Sequence, residues 1–175
     1  MTDGQPFQYD RTTVRIHWAV AILVTVLWLI GRLNGFLPKG PVRLDIWSIH
    51  VLMGFVLAVL VIARIAWRFT RGRRLPPADH GVRHMAAVVV QGGLYVLLVG
   101  VVGLGVANVF GHGFPMFGVW KFPRFWGKST QNIINEYHDL TANIIAVVAL
   151  FHAAAAMFHH YWIRDNVIMR MTIER

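Results

Sequence analysis

The chain of 175 residues contains no cysteine, and only 14% of its residues are charged. Without cysteine it can form no disulfide, no thiolate zinc site, no iron–sulfur cluster and no covalently attached haem. The charged share also lies well below the roughly 25% that is usual in soluble domains. Any metal centre in this chain must therefore depend on its nine histidines.

Hydrophobic residues make up 56% of the chain, which exceeds the roughly 45–50% of ordinary soluble proteins. Lysine and arginine number 17 against 8 acidic residues, and the formal net charge is +9. In a soluble protein this excess would suggest nucleic acid, but the apolar content favours the anionic headgroups of a membrane. We therefore expect membrane lipid as a partner and no nucleic acid.

Four apolar stretches are long enough to cross a bilayer as helices, for which about 20 residues are needed. Strands are improbable in these stretches because they lack two-residue alternation, and an open sheet is not stable in lipid. The length fits a single domain over residues 1–175. The sequence predicts an all-α integral membrane four-helix bundle with helices at about 14–33, 44–69, 82–109 and 132–163.

Basic residues are distributed unequally between the two sides that such a topology defines. The two termini and the connection between the second and third helices carry eleven of them, whereas the other two connections carry six. Because basic segments are retained on the inner side, both termini are expected in the cytoplasm. The first ten residues lack the features of a cleaved signal peptide, so we expect the first helix to be retained.

Four histidines within or at the ends of these helices form a pattern of matched depths. His138 and His152 are 14 residues apart in the fourth helix. At this spacing the two side chains point within about 40° of each other, at an axial offset of roughly 21 Å. The alternating helix directions put His50 at the outer depth of His138, and His17 at the inner depth of His152. A single buried histidine is more often structural, but two matched pairs indicate a function.

Two imidazoles that face each other at one depth can hold a haem between them, whereas a tetrahedral zinc site needs three or four protein ligands. We therefore predict two haem b groups, an inner one between His17 and His152 and an outer one between His50 and His138. Two bound imidazoles leave no open position on iron, which favours electron transfer over oxygen chemistry.

Two further residues of the second helix fit this arrangement. Gly54 lies one turn after His50, where the absence of a side chain would let a porphyrin lie against the backbone. Such a glycine also serves in ordinary helix packing. Arg64 lies 14 residues after His50, at the inner depth, and could pair with a haem propionate. Its alternative is to extend to the membrane interface.

The end of the fourth helix offers a candidate quinone site. His159 is seven residues beyond His152 on the same stripe, about 10 Å further along the axis and too far for the same iron. It could donate a hydrogen bond or a proton to a quinone carbonyl. Tyr161 and Trp162 fit an interfacial aromatic belt. His84, near the same surface on the third helix, is a second candidate.

These histidines stand in four sequence blocks whose order and spacing are similar to those of a known family. The blocks are RIHW at 15–18, IH at 49–50 followed by Gly54, YHDLTAN at 137–143, and HAAAA at 152–156 with HHY at 159–161 and RDN at 164–166. The chain resembles the bacterial cytochrome b561 family, which are small four-helix di-haem b cytochromes of the inner membrane. Two departures lie in the third helix, where Gln91 and Gly100 replace the family's usual histidine and proline.

Within the family, the resemblance is to the superoxide oxidase type, which implies electron transfer from superoxide at the outer face to ubiquinone. The basic residues Lys121, Arg124 and Lys128 would attract superoxide at that face, although they could also bind an acidic protein in the periplasm. The alternative function is a cytochrome b subunit that relays electrons between the quinone pool and a dehydrogenase or hydrogenase. A transporter would need an internal repeat or broken helices, and the sequence has neither.

Overall fold

The structure is a computed structural model that describes residues 8–78, 80–165 and 167–172, with His112 described by its backbone alone. Its four long helices are α1 (Arg11–Leu33), α2 (Pro41–Thr70), α3 (Gly81–His112) and α4 (Lys128–Phe158). Three short helical turns and a two-stranded hairpin complete the described part of the chain. They are the turns Asn34–Phe36, His159–Ile163 and Ile168–Met171, and the strands β1 (Pro115–Met116) and β2 (Trp120–Lys121).

The helix ends follow from local chemistry. The Asp10 side chain caps α1 by accepting a hydrogen bond from the Thr13 backbone N–H, and Pro41 occupies the first position of α2, where no N–H is needed. Gly113 ends α3 in the left-handed conformation, with φ of 61°, as glycines after helices commonly do. Each long helix begins one to four residues before the bound predicted from hydropathy, because capping residues extend beyond the apolar run.

All four helices are long and apolar enough to span a membrane. Large apolar side chains such as Ile22, Val59 and Val96 point outward and are well exposed. In water such a surface would aggregate, whereas in lipid it is the stable arrangement for helices whose backbone hydrogen bonds are internal. The predicted four-helix membrane bundle is therefore confirmed.

The helices pack most closely as the pairs α1–α2 and α3–α4, with α2 and α3 joining the two pairs. A buried apolar cluster lies in the middle of the bundle and draws on all four helices. Its members are Val20, Leu27, Leu57, Val61, Leu98, Val101 and Ile145. Along α4, Ile145 stands midway between His138 and His152, so this apolar layer separates the two histidine depths.

The hairpin between α3 and α4 was not predicted. Phe117 and Gly118 adopt positive φ values of 49° and 72°, which form the tight turn between β1 and β2. The turn is attached to α2 because the Phe117 backbone N–H donates to the buried Ser48 hydroxyl at 2.8 Å. Ser48 is two residues from His50, so the hairpin covers the end of the bundle at which His50 lies. We call this the hairpin end.

The opposite end, which we call the terminal end, brings residues 8–10, 67–76 and 170–172 together. Tyr9 donates its backbone N–H to the Arg170 carbonyl at 3.1 Å, and the Arg170 guanidinium donates to the Pro76 carbonyl at 2.8 Å. Asp10 joins these segments, since it also accepts hydrogen bonds from the Trp67 indole at 3.0 Å and the Arg73 backbone at 3.1 Å. Both ends of the described chain thus lie on one side of the bundle, as the predicted topology requires.

The environment of Asp10 leads to a prediction about stability. Burial raises the pKa of this carboxyl, but hydrogen bonds from Thr13, Arg73 and Trp67 outweigh it and lower the pKa to about 2 from 3.8. Asp10→Ala should destabilise the protein by about 1–2 kcal/mol, the range for loss of a helix cap. Because the folded pKa is depressed, the stability from Asp10 is complete above about pH 4 and is lost as the pH falls towards 2.

Thermal unfolding in detergent micelles, followed by circular dichroism from pH 7 to pH 2.5, measures this effect. The difference between wild type and Asp10→Ala should shrink as the pH falls. Asp45→Ala, which removes an exposed carboxylate from α2, serves as the matched control and should differ little from wild type at any pH. A constant Asp10 effect across the range would show that the charge of this carboxylate does not stabilise the fold.

Candidate functional site

The structure brings the four candidate histidines together in the two predicted pairs. The rings of His17 on α1 and His152 on α4 have centroids 6.5 Å apart and planes 68° apart. The rings of His50 on α2 and His138 on α4 have centroids 6.4 Å apart and planes 80° apart. Each pair therefore joins α4 to one helix of the α1–α2 pair, and the pairs lie roughly 21 Å apart along α4.

The ring separation matches the space that one metal ion needs between two imidazoles. A metal–nitrogen distance of about 2.0 Å on each side, with roughly 1.1 Å from each nitrogen to its ring centroid, gives about 6.2 Å. Within the described ranges, no group of three or more His, Asp or Glu side chains is placed to hold a metal ion. A pair of imidazoles suits haem iron, because the porphyrin supplies the other four ligands.

Hydrogen bonding fixes one ring of the hairpin-end pair in a suitable state. The Val101 carbonyl lies 3.0 Å from His138 Nδ1, and a carbonyl can only accept, so this nitrogen carries the ring proton. His138 Nε2 is then the nitrogen with a lone pair for a metal. A second contact of this kind, which orients the ring and sets its tautomer, is typical of metal-binding histidines.

Three glycines shape the same region. A Cβ on Gly105 would lie 3.0 Å from the His138 ring, and one on Gly31 would lie 3.8 Å from the His50 ring. Gly105 thus lets α3 approach the histidine. Gly54 is half-buried, and apart from its chain neighbours and the nearby backbone of its own helix, no atom lies within 4 Å of where its Cβ would be. The contact of Gly54 with a flat ring stays a prediction, and the role of Gly31 was not predicted.

Arg64 lies at the depth of the terminal-end pair, as its spacing from His50 predicted. Its guanidinium donates to His17 Nδ1 at 2.8 Å and to the Tyr95 hydroxyl at 3.1 Å. The guanidinium carbon also lies 5.4 Å from the centre of the Tyr95 ring, a cation–π distance. Arg64 therefore points into the bundle and does not extend to the interface. The contact of Tyr95 with Arg64 was not predicted.

The candidate quinone residue His159 lies in a π-helical turn, His159–Ile163, that follows α4. Its Nδ1 is 2.5 Å from Asp165 Oδ2. A cavity of about 400 Å³ beside this turn is lined by Tyr161, Trp162 and Arg164. His84, the second candidate, is exposed near the start of α3. Neither the π-helical turn nor the contact with Asp165 was predicted, and Asn166 of the same sequence block lies outside the described residues.

The three basic residues proposed for superoxide capture are all exposed at the hairpin end. Lys121 is in β2, Arg124 follows in the loop, and Lys128 begins α4. The hairpin that carries Lys121 is bonded to Ser48, so this cluster lies at the same end as His50 and His138. Arg124 donates to the Trp126 carbonyl at 3.2 Å, which leaves its charge at the surface.

A membrane-spanning four-helix bundle with imidazoles paired across it defines a membrane cytochrome of the b type. The family model described as prokaryotic cytochrome b561 matches residues 8–173. The chain therefore belongs to the prokaryotic cytochrome b561 family, as the sequence blocks indicated. It is a bacterial multi-pass membrane protein for electron transfer, and its family implies b-type haem and redox partners.

Curated relatives cover nearly the full length of the chain. A probable superoxide oxidase of Yersinia pestis is 29% identical over 172 residues, which are 94% of this chain and 95% of that protein. Cytochrome b562 of Cereibacter sphaeroides is 29% identical over 169 residues, which are 93% of this chain and 94% of that protein. Cytochrome b561 homolog 1 of Escherichia coli is 28% identical over 174 residues, which are 96% of this chain and 98% of that protein.

Proposed function

We propose that this protein is a superoxide:ubiquinone oxidoreductase of the bacterial inner membrane, with two haem b groups. The main observation behind the proposal is that the four histidines form two pairs. In each pair the ring centroids are 6.4–6.5 Å apart, and the two pairs lie on opposite sides of the central apolar layer. The name of the Yersinia pestis relative, a probable superoxide oxidase, supports the choice of substrate.

In this proposal, His17 and His152 would hold the inner haem, and His50 and His138 would hold the outer haem. Bound haem supplies reversible one-electron chemistry at two depths, which spans the distance between the membrane faces. Because Arg64 donates to His17 Nδ1, the lone pair of that ring is engaged in this structure. With haem bound, His17 would present this lone pair to the iron, and Arg64 could hold a propionate instead. Gly54 leaves room beside His50. These residues position and tune the cofactor.

The direction of transfer follows from the orientation proposed for the bundle. With the basic terminal end in the cytoplasm, the hairpin end faces the periplasm and presents Lys121, Arg124 and Lys128 to water. Their positive field would concentrate anionic superoxide near the outer pair. Two superoxide ions each lose one electron and leave as dioxygen. One ubiquinone takes the two electrons with two protons from the cytoplasm and becomes ubiquinol, so charge and atoms balance.

Ubiquinone is proposed to react at the terminal end, beside His159. Two observations support this place. His159 directly follows the helix of His152, about 10 Å beyond that residue, and its side chain is only partly exposed. An open surface depression also lies next to its turn. The exposed His84 has no comparable surroundings in the described structure. It stays the second candidate for this site.

The proposed ligation predicts the haem content of four single variants. His17→Ala and His152→Ala should each remove the inner haem, and His50→Ala and His138→Ala should each remove the outer one. Redox titration followed by optical spectroscopy should then resolve one remaining haem in each variant, the same one within each pair. If His17→Ala and His50→Ala removed the same haem, the pairing across α4 would be wrong.

Capture of superoxide by charge predicts a strong salt dependence. Exposed charges lose their influence beyond about 10 Å at 0.1 M salt and about 3 Å at 1 M. Reduction of the purified protein by superoxide should therefore slow by about tenfold as the salt concentration rises from about 0.1 M to about 1 M, which is within the range of electrostatic steering. Replacing Lys121, Arg124 and Lys128 by Gln should flatten that dependence, whereas reduction by a neutral donor should change little in either protein.

The matched control replaces three exposed arginines at the terminal end, Arg68, Arg71 and Arg74, by Gln. It removes the same charge from the opposite face and should keep the salt dependence of wild type. Equal flattening in both triple variants would mean that only net charge matters. Equal rates for wild type and the hairpin-end variant at every salt concentration would remove these residues from superoxide capture.

A further inference from the structure

We propose that Asp165 is the positioning residue of the quinone site: its carboxylate holds the Nδ1–H of His159, so that the ring exchanges protons with the quinone at Nε2. The inference rests on the proposed reduction of ubiquinone at the terminal end and adds the group that orients the proton donor. The Asp165 carboxylate contacts His159 Nδ1 and acts through that ring.

The contact between the two side chains is short and partly shielded from water. Asp165 Oδ2 lies 2.5 Å from His159 Nδ1, and the side chains are 21% and 19% exposed respectively. The second carboxylate oxygen, Oδ1, accepts the Val167 backbone N–H at 3.2 Å. With both oxygens engaged, the carboxylate has one orientation, and the imidazole ring is fixed with it.

The backbone is shaped to make this contact. After the π-helical turn, Arg164 adopts a left-handed conformation with φ of 59°, which is uncommon for a residue with a side chain. Its N–H donates to the His159 carbonyl at 2.7 Å. The chain therefore reverses at Arg164 and returns Asp165 to His159, six residues earlier, at the end of α4. A straight continuation of α4 would carry Asp165 further along the axis.

The carboxylate is charged at neutral pH. Burial raises the pKa of Asp165, but the hydrogen bond from the His159 ring and that from the Val167 backbone lower it below its usual value of 3.8. A carboxylate can only accept, so Nδ1 keeps its proton whether the ring is neutral or charged. Proton exchange is then confined to Nε2, the division of roles found in catalytic histidine–aspartate pairs.

The chemistry of ubiquinone reduction needs such a group. Each ubiquinone takes two electrons, which two superoxide ions supply through the protein, and two protons, which come from cytoplasmic water. The charged His159 ring gives one proton from Nε2 to a quinone oxygen, becomes neutral, and takes a proton from water before the next transfer.

A kinetic experiment on the haem-loaded protein tests the role of Asp165. The reduced protein is mixed with a short-chain ubiquinone analogue, and the maximal re-oxidation rate and half-saturating concentration are measured for wild type, Asp165→Asn, Asp165→Glu and His159→Ala. Asp165→Asn should lower the maximal rate by about tenfold, less than loss of a general acid would, with little change in half-saturating concentration. Asp165→Glu should recover part of the rate. Asp45→Asn, an exposed carboxylate at the other end, should behave as wild type.

The outcomes separate this inference from the proposed function. Suppose that both variants have full haem content, and that re-oxidation is slow in His159→Ala but as fast as wild type in Asp165→Asn. This result would overturn the positioning role of Asp165 and leave the quinone site in place. Full rates in both variants would show that quinone reacts elsewhere. A rise in half-saturating concentration alone would also overturn the inference, since it would indicate a binding role.

Nitrogen-15 NMR of histidine-labelled wild-type protein provides a test that needs no Asp165 variant to fold. The His159 signal is identified by its loss in His159→Ala. At a pH high enough for the ring to be neutral, the His159 signal should show a protonated Nδ1 and an unprotonated Nε2. The opposite tautomer would overturn the inference, whatever the kinetic results.

Discussion

In each of the two histidine pairs, two imidazole rings face each other across the bundle at a fixed separation. The rest of this structure depends on that contact. A polar ring inside a bilayer has no water to bond, so it needs a partner within the protein. Here α4 carries both rings that meet the α1–α2 pair. Their spacing of 14 residues keeps them on one face at two depths. The same spacing leaves room for the apolar layer between them, and the proposed quinone site lies beyond His152.

The two ends of the bundle differ in what they can recognise. At the hairpin end, β1 and β2 are attached to α2 through Ser48 and present exposed positive charge near His50. At the terminal end, the chain closes on itself around Asp10, and the π-helical turn places His159 against Asp165. In the proposed function, the first end serves an anion in water and the other a proton-coupled acceptor in lipid. This asymmetry would be the physical basis for the inward electron transfer that we propose.

Hydropathy and helical periodicity were sufficient to predict the four helices and the pairing of His17 with His152 and of His50 with His138, because these depend only on regular helix geometry. The hairpin and the contact of Asp165 with His159 were not predicted because they depend on irregular backbone. The hairpin requires positive φ at Phe117, and the return of Asp165 to His159 requires it at Arg164. Arg164 is not a glycine, so the sequence carries no local signal of that reversal, whereas Gly118 beside Phe117 is a turn signal. The contacts of Gly31 and Tyr95 were not predicted because they depend on side-chain packing between helices.

The central claim is that each chain holds two haems, one between each histidine pair. A pyridine haemochrome assay on purified protein, combined with quantitative amino-acid analysis, measures haem b per polypeptide directly. The account predicts two haem b groups per chain. A value of one or none in fully loaded protein would contradict it.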